Sequence, residues 1–191
     1  MKKLVVFASG SGSNFQAIID AIRENQIKAK ITGLITNREN TGAEERAKSH
    51  QIPVAIISEK EESGFCDKLE QQLSFWSPDL IVLAGFLKKV PDRVVRNYQN
   101  RIINIHPSLL PKYGGKGFYG LKVHEAVLQS GDSKTGCTVH YVNEHYDEGD
   151  IIEQVEVDVH DTDTPETLAA RVLKAEHKLL PNIIQKLLNQ P

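Results

Sequence analysis

The chain has 191 residues, 40% of them hydrophobic and 25% charged, with a formal net charge of −2. Those values suit a soluble globular protein of ordinary domain size and exclude a disordered or collagenous chain. So small a net charge offers no general attraction to nucleic acid or to an anionic membrane, so any anion must be met by a local site.

The opening "MKKLVVFASGSG" has the lysines of a secretion signal, but its apolar run, Leu4 to Ala8, is too short for one. A first strand over Lys3–Ala8 is expected instead. No apolar stretch approaches the ~20 residues of a membrane helix. The strand runs into the turn Gly10-Ser11-Gly12-Ser13-Asn14 and then a helix over Asn14–Glu24. Backbone N–H groups at such a helix start can cradle phosphate oxygens. The dinucleotide fingerprint would need a third glycine where Phe15 stands and an acidic residue where Asn37 and Arg38 stand. A site for a single phosphate is what survives, with Ser11, Ser13 and Asn14 as further hydrogen-bonding groups. The alternative is that Ser13 or Asn14 only caps the helix.

Next come a strand at Lys30–Ile35, a weakly periodic helix at Ala43–Ser49, a strand at Val54–Ile57 and a helix at Phe65–Phe75. A strand at Leu80–Leu83, a helix at Pro91–Tyr98 and a strand at Arg101–Ile105 follow. This alternation predicts an α/β fold, doubly wound, with a mostly parallel sheet and helices on both faces. The strand at 101–105 leads into "NIHPSLLP". Asn104 and His106, two apart, project from one face at the carboxyl end of the strand, where open α/β sheets place ligands. An amide donor beside an imidazole is equipment for acyl transfer, the one for a developing oxyanion and the other for a proton. A structural Asn and a packed His are the competing account.

A glycine-rich segment, "KYGGKGFYG", precedes a helix at Leu121–Gln129. Longer strands at Thr135–Val142 and Ile151–Val159 read as antiparallel and are separated by "NEHYDEGD". Asp147 there precedes Glu148-Gly149, a tight turn able to reach the same sheet edge. A carboxylate near His106 would raise its pKa by favouring imidazolium. A solvated acidic turn is the alternative. His145, Asp147, Asp150 and the His160–Asp163 run show no recognised metal geometry, so no metal is expected. Cys66 and Cys137 read as free thiols of a reducing cytoplasm, Cys137 as a buried strand residue rather than a nucleophile. A last helix opens with Thr164 as cap and Pro165 in its first turn and runs to about Leu188, with Pro181 expected to kink or interrupt it. Residues 1–191 are expected to form one domain.

Five segments in this order, "GSGSN", "VLAGF" at Val82–Phe86, "NIHPSLLP", "TVHYV" followed by Asp147, and "AEH" at Ala175–His177, carry a resemblance to the phosphoribosylglycinamide formyltransferase family. The resemblance implies a formyltransferase fold and formyl transfer from 10-formyltetrahydrofolate to the amine of glycinamide ribonucleotide. It implies that Asn104 and His106 are catalytic with Asp147 as their partner. Gly12, Ser13 and Asn14 would hold the ribonucleotide phosphate and Glu176 would contact the glycinamide end. Leu87, Lys88, Lys89 and Val90, with Asn143, Glu144, His145, Tyr146 and Asp147 and with Asn104, would line the folate pocket. Partners would be small molecules only, with no nucleic acid, membrane or metal, and the protein a monomer or homodimer. A methionyl-tRNA formyltransferase shares the His-Pro-Ser-Leu-Leu-Pro run and is expected to add an RNA-binding domain. The chain departs from the family in its longer "GGKGFYGLKVH", where Lys122 replaces one histidine of a His-x-His pair and His124 keeps the other. Leu-Lys-Lys follows "AGF", and "EKEESGFCDK" lacks an arginine often used by the family.

Overall fold

The computed structural model describes residues 1–58 and 64–189, so part of the "EKEESGFCDK" stretch lies outside the described residues. Each strand and helix expected from the sequence forms, its ends displaced by no more than about a residue. In chain order these are β1 (Lys2–Phe7), α1 (Ser13–Arg23), β2 (Ala29–Thr36), α2 (Gly42–Ser49), β3 (Val54–Ile56), α3 (Phe65–Trp76) and β4 (Leu80–Leu83). Then come α4 (Asp92–Asn97), β5 (Ile102–His106), α5 (Leu121–Ser130), β6 (Lys134–Tyr141), β7 (Ile151–Asp158) and α6 (Pro165–Leu188).

One seven-stranded sheet has the order β3-β2-β1-β4-β5-β6-β7. β3 to β5 run parallel, and β6 and β7 are antiparallel to their neighbours. Strand alternation divides the core. Leu4, Val6 and Ala8 pack with α1, α2, α5 and α6, whereas Val5 and Phe7 pack with α3 and α4. The weakly periodic α2 forms because the Thr41 side chain accepts from the Glu44 N–H and Ala43 and Ala47 reach the core.

Pro181 does not interrupt α6, which continues as one helix to Leu188. An interior proline costs roughly 3 kcal/mol through its missing N–H and its ring. Around it Leu179, Leu180, Ile183 and Ile184 are all buried. Each such side chain contributes roughly 1.5–3 kcal/mol on burial, so packing outweighs the lost bond. Thr164 and Thr167 form the reciprocal cap expected at the other end. Among the described residues no helix is long and apolar enough to cross a membrane.

Candidate active site

β1 and β4 are sheet neighbours from which the chain departs to opposite sides, and a crevice opens beyond their carboxyl ends. The loops there are tied together: Ser9 N–H donates to the Gly85 carbonyl at 3.0 Å, and Leu87 N–H to Ser9 Oγ at 3.1 Å. Gly12 caps α1 at φ 72°, and a Cβ there would stand 2.6 Å from Ala43 Cα, so glycine is required on both counts. No side chain caps α1. The alternative, capping by Ser13 or Asn14, is not realised, and the helix start faces the crevice with no side-chain cap. Asn14 turns elsewhere: its Nδ2 donates to Glu176 Oε2 of α6 at 2.6 Å.

β5 delivers the second half of the site. Antiparallel register sets Asn104 opposite His140 and His106 opposite Thr138. Their odd-numbered neighbours Ile103 and Ile105 pack in the core on the other face. The run after His106 is pinned to β6, since Leu110 N–H donates to Thr138 Oγ1 at 3.1 Å and Thr138 Oγ1 donates to the Ser108 carbonyl at 2.6 Å.

Asp147 joins both residues from the β6–β7 loop. Its φ is 56°, and a Cβ at Gly149 would overlap the Tyr141 carbonyl, so this turn accepts only glycine there. Asp147 Oδ2 accepts from Gly115 N–H at 2.9 Å and lies 3.6 Å from His106 Nδ1. Its Oδ1 lies 3.6 Å from His140 Nε2 and 3.4 Å from Asn104 Nδ2. Burial pushes the Asp147 carboxyl up, but His140, His106 and the Gly115 N–H more than offset it, leaving its pKa below the usual value.

Two carbonyls assign the imidazole protons. Because a carbonyl only accepts, His106 Nε2 donates to Tyr113 O at 2.8 Å, and the proton that titrates on His106 is the one at Nδ1, facing Asp147. His140 Nδ1 donates to Tyr141 O at 2.8 Å, leaving Nε2 to accept from Asn104 Nδ2 at 3.1 Å. His106 corrects an expectation. Burial pushes its pKa below the ordinary value, and the opposing pull of Asp147 and the Tyr113 carbonyl does not restore it. Desolvation of the cation outweighs one partly screened carboxylate.

A cavity of about 650 Å³ unites the two halves, touching Ser13, Asn14 and Glu176 at one side and Asn104, His106 and Asp147 at the other. A smaller cleft of about 70 Å³ adjoins it and shares Asn104 and Asp147. Lys88, Lys89, Val90, Asn143, His145 and Tyr146 line the cleft, while Leu87 lines the large cavity. Glu144 lines neither; its Oε1 stands 3.9 Å from Arg96 Nη1. Burial pushes the Glu176 carboxyl up to about 7 against the pull of the Asn14 hydrogen bond.

A family model described as formyl transferase matches residues 2–184. The chain belongs to the formyl transferase family. It is 38% identical to phosphoribosylglycinamide formyltransferase of Haemophilus influenzae, covering 97% of this chain and 86% of that protein. The crystal structure of phosphoribosylglycinamide formyltransferase from Bacillus halodurans superposes with a TM-score of 0.92 at 36% identity, covering 99% of this chain and 96% of that one. The chloroplastic phosphoribosylglycinamide formyltransferase of Vigna unguiculata is 44% identical over 97% of this chain, which spans 61% of the plant protein's length. Within the formyl transferases the chain thus stands with the phosphoribosylglycinamide formyltransferases.

Sequence reasoning assigned no role to two histidines of this candidate site. His140 stands within the "TVHYV" segment without a role of its own, and registering β6 against β5 would have found it opposite Asn104. His124 lines the large cavity, is 3% exposed, and has an Nδ1 without a partner among the described residues. Burial and the nearby His106 push it down to about 4, so it is a neutral ring. Cys137 is buried on β6 and its thiol is pushed up to about 12, chiefly by burial, as an inert strand residue should be.

Proposed function

We propose that this chain transfers the formyl group of 10-formyltetrahydrofolate to the amine of glycinamide ribonucleotide in purine biosynthesis. The observation that carries the proposal is the single cavity running from the uncapped start of α1 to Asn104, His106 and Asp147, with the adjoining cleft meeting it at Asp147. The turn at Gly12, Ser13 and Asn14 takes the phosphate, and Glu176 takes the glycinamide end. Leu87 to Val90 and Asn143 to Asp147, with Asn104, take the folate, Glu144 contributing through the shape of its loop. The fit of two ligands is supported by the shared residues: Asn104 and Asp147 belong to both spaces.

The amine nitrogen attacks the formyl carbon, a C–N bond forms, and the carbonyl oxygen becomes an oxyanion. Asn104 Nδ2 stabilises that charge with the N–H it otherwise directs at Asp147 at 3.4 Å, while its contact with His140 at 3.1 Å holds the amide in place. His106 starts as a neutral ring. Its Nδ1 accepts the proton leaving the amine, and the imidazolium so formed lies between Asp147 and the oxyanion. The same proton passes to the folate nitrogen as the bond from that nitrogen to the formyl carbon breaks, which restores His106. Asp147 favours the transient cation without holding the free ring protonated.

We place the reaction in a reducing cytoplasm, for which the free thiols Cys66 and Cys137 speak. We take residues 1–191 as one catalytic domain, monomeric or homodimeric, with small molecules as its partners and neither nucleic acid nor membrane required. The test is loss of 10-formyl folate absorbance with and without glycinamide ribonucleotide. Ribonucleotide-dependent turnover is expected; equal rates in its absence would make the protein a hydrolase and remove the acceptor from the proposal.

A further inference from the structure

The large cavity lies between two carboxylates, Asp147 and Glu176, yet is proposed to admit a phosphate. A phosphate monoester carries roughly −1.5 to −2 at neutral pH, whereas a helix start offers only about half a positive charge. A further cation would balance the remaining charge. Among the described residues that line this cavity, Lys116 is the one lysine or arginine. Its side chain is exposed and makes no hydrogen bond or ion pair with another described residue. Surrounding residues have their needs met differently: Lys112 is paired with Asp132, and Lys122 lies over the Tyr119 ring.

Lys116 also sits where it can be delivered. It is flanked by Gly115 at φ 91° and Gly117 at φ 101°, backbone states open to glycine, so the segment can turn the lysine over the cavity. Gly115 N–H is held by Asp147 Oδ2 at 2.9 Å, which anchors the segment beside the reacting groups. A ligand is independently called for there, because Asn14 Oδ1 and His124 Nδ1 line the same space, buried and without partners.

We propose that Lys116 binds the phosphate of the ribonucleotide and sets the preference for a phosphorylated acceptor, an inference that rests on the function proposed above. Folate carboxylates are a second source of anion. They are disfavoured because the cleft assigned to folate has lysines at its own lining, Lys88 and the Asp92-paired Lys89, and is not lined by Lys116.

Calorimetry on wild type, Lys116→Met and Lys116→Arg would test this with three probes: glycinamide ribonucleotide, its dephosphorylated riboside and an unreactive folate analogue. Lys116→Met should weaken the ribonucleotide about 10-fold or more, the span of one charge-assisted contact, and leave riboside and folate analogue within about twofold. Lys116→Arg should keep most of the ribonucleotide affinity, since it retains the charge. Unchanged ribonucleotide affinity in Lys116→Met would make this a solvated loop charge and overturn the inference. So would an equal loss for the riboside, which would signal a disturbed pocket, or a loss confined to the folate analogue. Equal affinity of wild type for ribonucleotide and riboside would instead strike the phosphate site itself, and the proposed function with it.

Discussion

Asp147 and Glu176 stand at opposite sides of one cavity, both largely withdrawn from water, and their carboxyls are shifted in opposite directions. Burial pushes each up. At Asp147 a backbone N–H and the imidazoles of His106 and His140 reverse that push. At Glu176 one neutral amide, Asn14 Nδ2, is the contact available, and burial wins. The sign of a buried carboxylate's shift is therefore set by the backbone donors and ionisable rings that its loop or helix brings near it. The β6–β7 loop and the glycine-rich segment bend backbone toward Asp147, whereas α6 presents Glu176 from a helix whose own N–H groups are committed to its ladder. The difference suits the two roles proposed above. One side would supply a fixed negative charge beside a proton carrier, and the other a carboxyl able to change state as an amine arrives.

Removing the charge at Asp147 should break this comparison most severely. Asp147→Asn keeps the shape, and turnover should fall by ~10²-fold or more, the usual span for an acid–base group. His106, already held below its ordinary pKa, should titrate lower still, because the carboxylate that favoured imidazolium has gone. Parallel NMR titration and a pH–rate profile would check both; near-normal turnover with an unmoved His106 would reduce Asp147 to a turn residue. In wild type the acid limb of the profile should lie below the ordinary histidine value, since His106 works from its neutral form.

Glu176→Gln tests the other side through stability. A carboxyl raised from 4.5 to about 7 on folding holds its proton more tightly in the folded state. Stability should therefore fall as pH rises from the unfolded value through the folded one, by on the order of 3 kcal/mol in the free protein. The glutamine variant should lose that slope between pH 4.5 and 7. Urea unfolding at several pH values would show it, and an unchanged slope would mean the carboxyl ionises freely.

The smallest effect is expected at Cys137, whose thiol is pushed up by burial and then by the charge of Glu176. Cys137→Ala should leave turnover near wild type and cost about 1 kcal/mol of stability by removing one buried heavy atom. A large loss of turnover would return the cysteine to the chemistry.

Much of the fold was legible because its signals are local. Short β-branched runs alternating with amphipathic helices mark β1 to β5, and Gly12 and Gly149 stand where the backbone admits nothing larger. The spacing of Asn104 and His106 placed them on one face, as the register bears out. Misjudgements came where distant groups decide. The interruption expected at Pro181 follows a local rule that four buried neighbours overrule, and His106 was assigned a shift from one nearby carboxylate while its burial went unseen.

From residue order alone came the strands and helices, the glycine turn without its third glycine, and the Asn, His and Asp proposed to bear the chemistry. These depend on neighbours within a few positions, where hydrophobic periodicity and backbone sterics act. Only the packed chain brought Asn14 against Glu176 across 162 positions of sequence, set His140 opposite Asn104, and left Lys116 as the cation of the large cavity. It alone also chose the direction of each pKa shift. Desolvation and Coulomb forces depend on distance and exclusion of water in space, and spacing along the chain encodes neither.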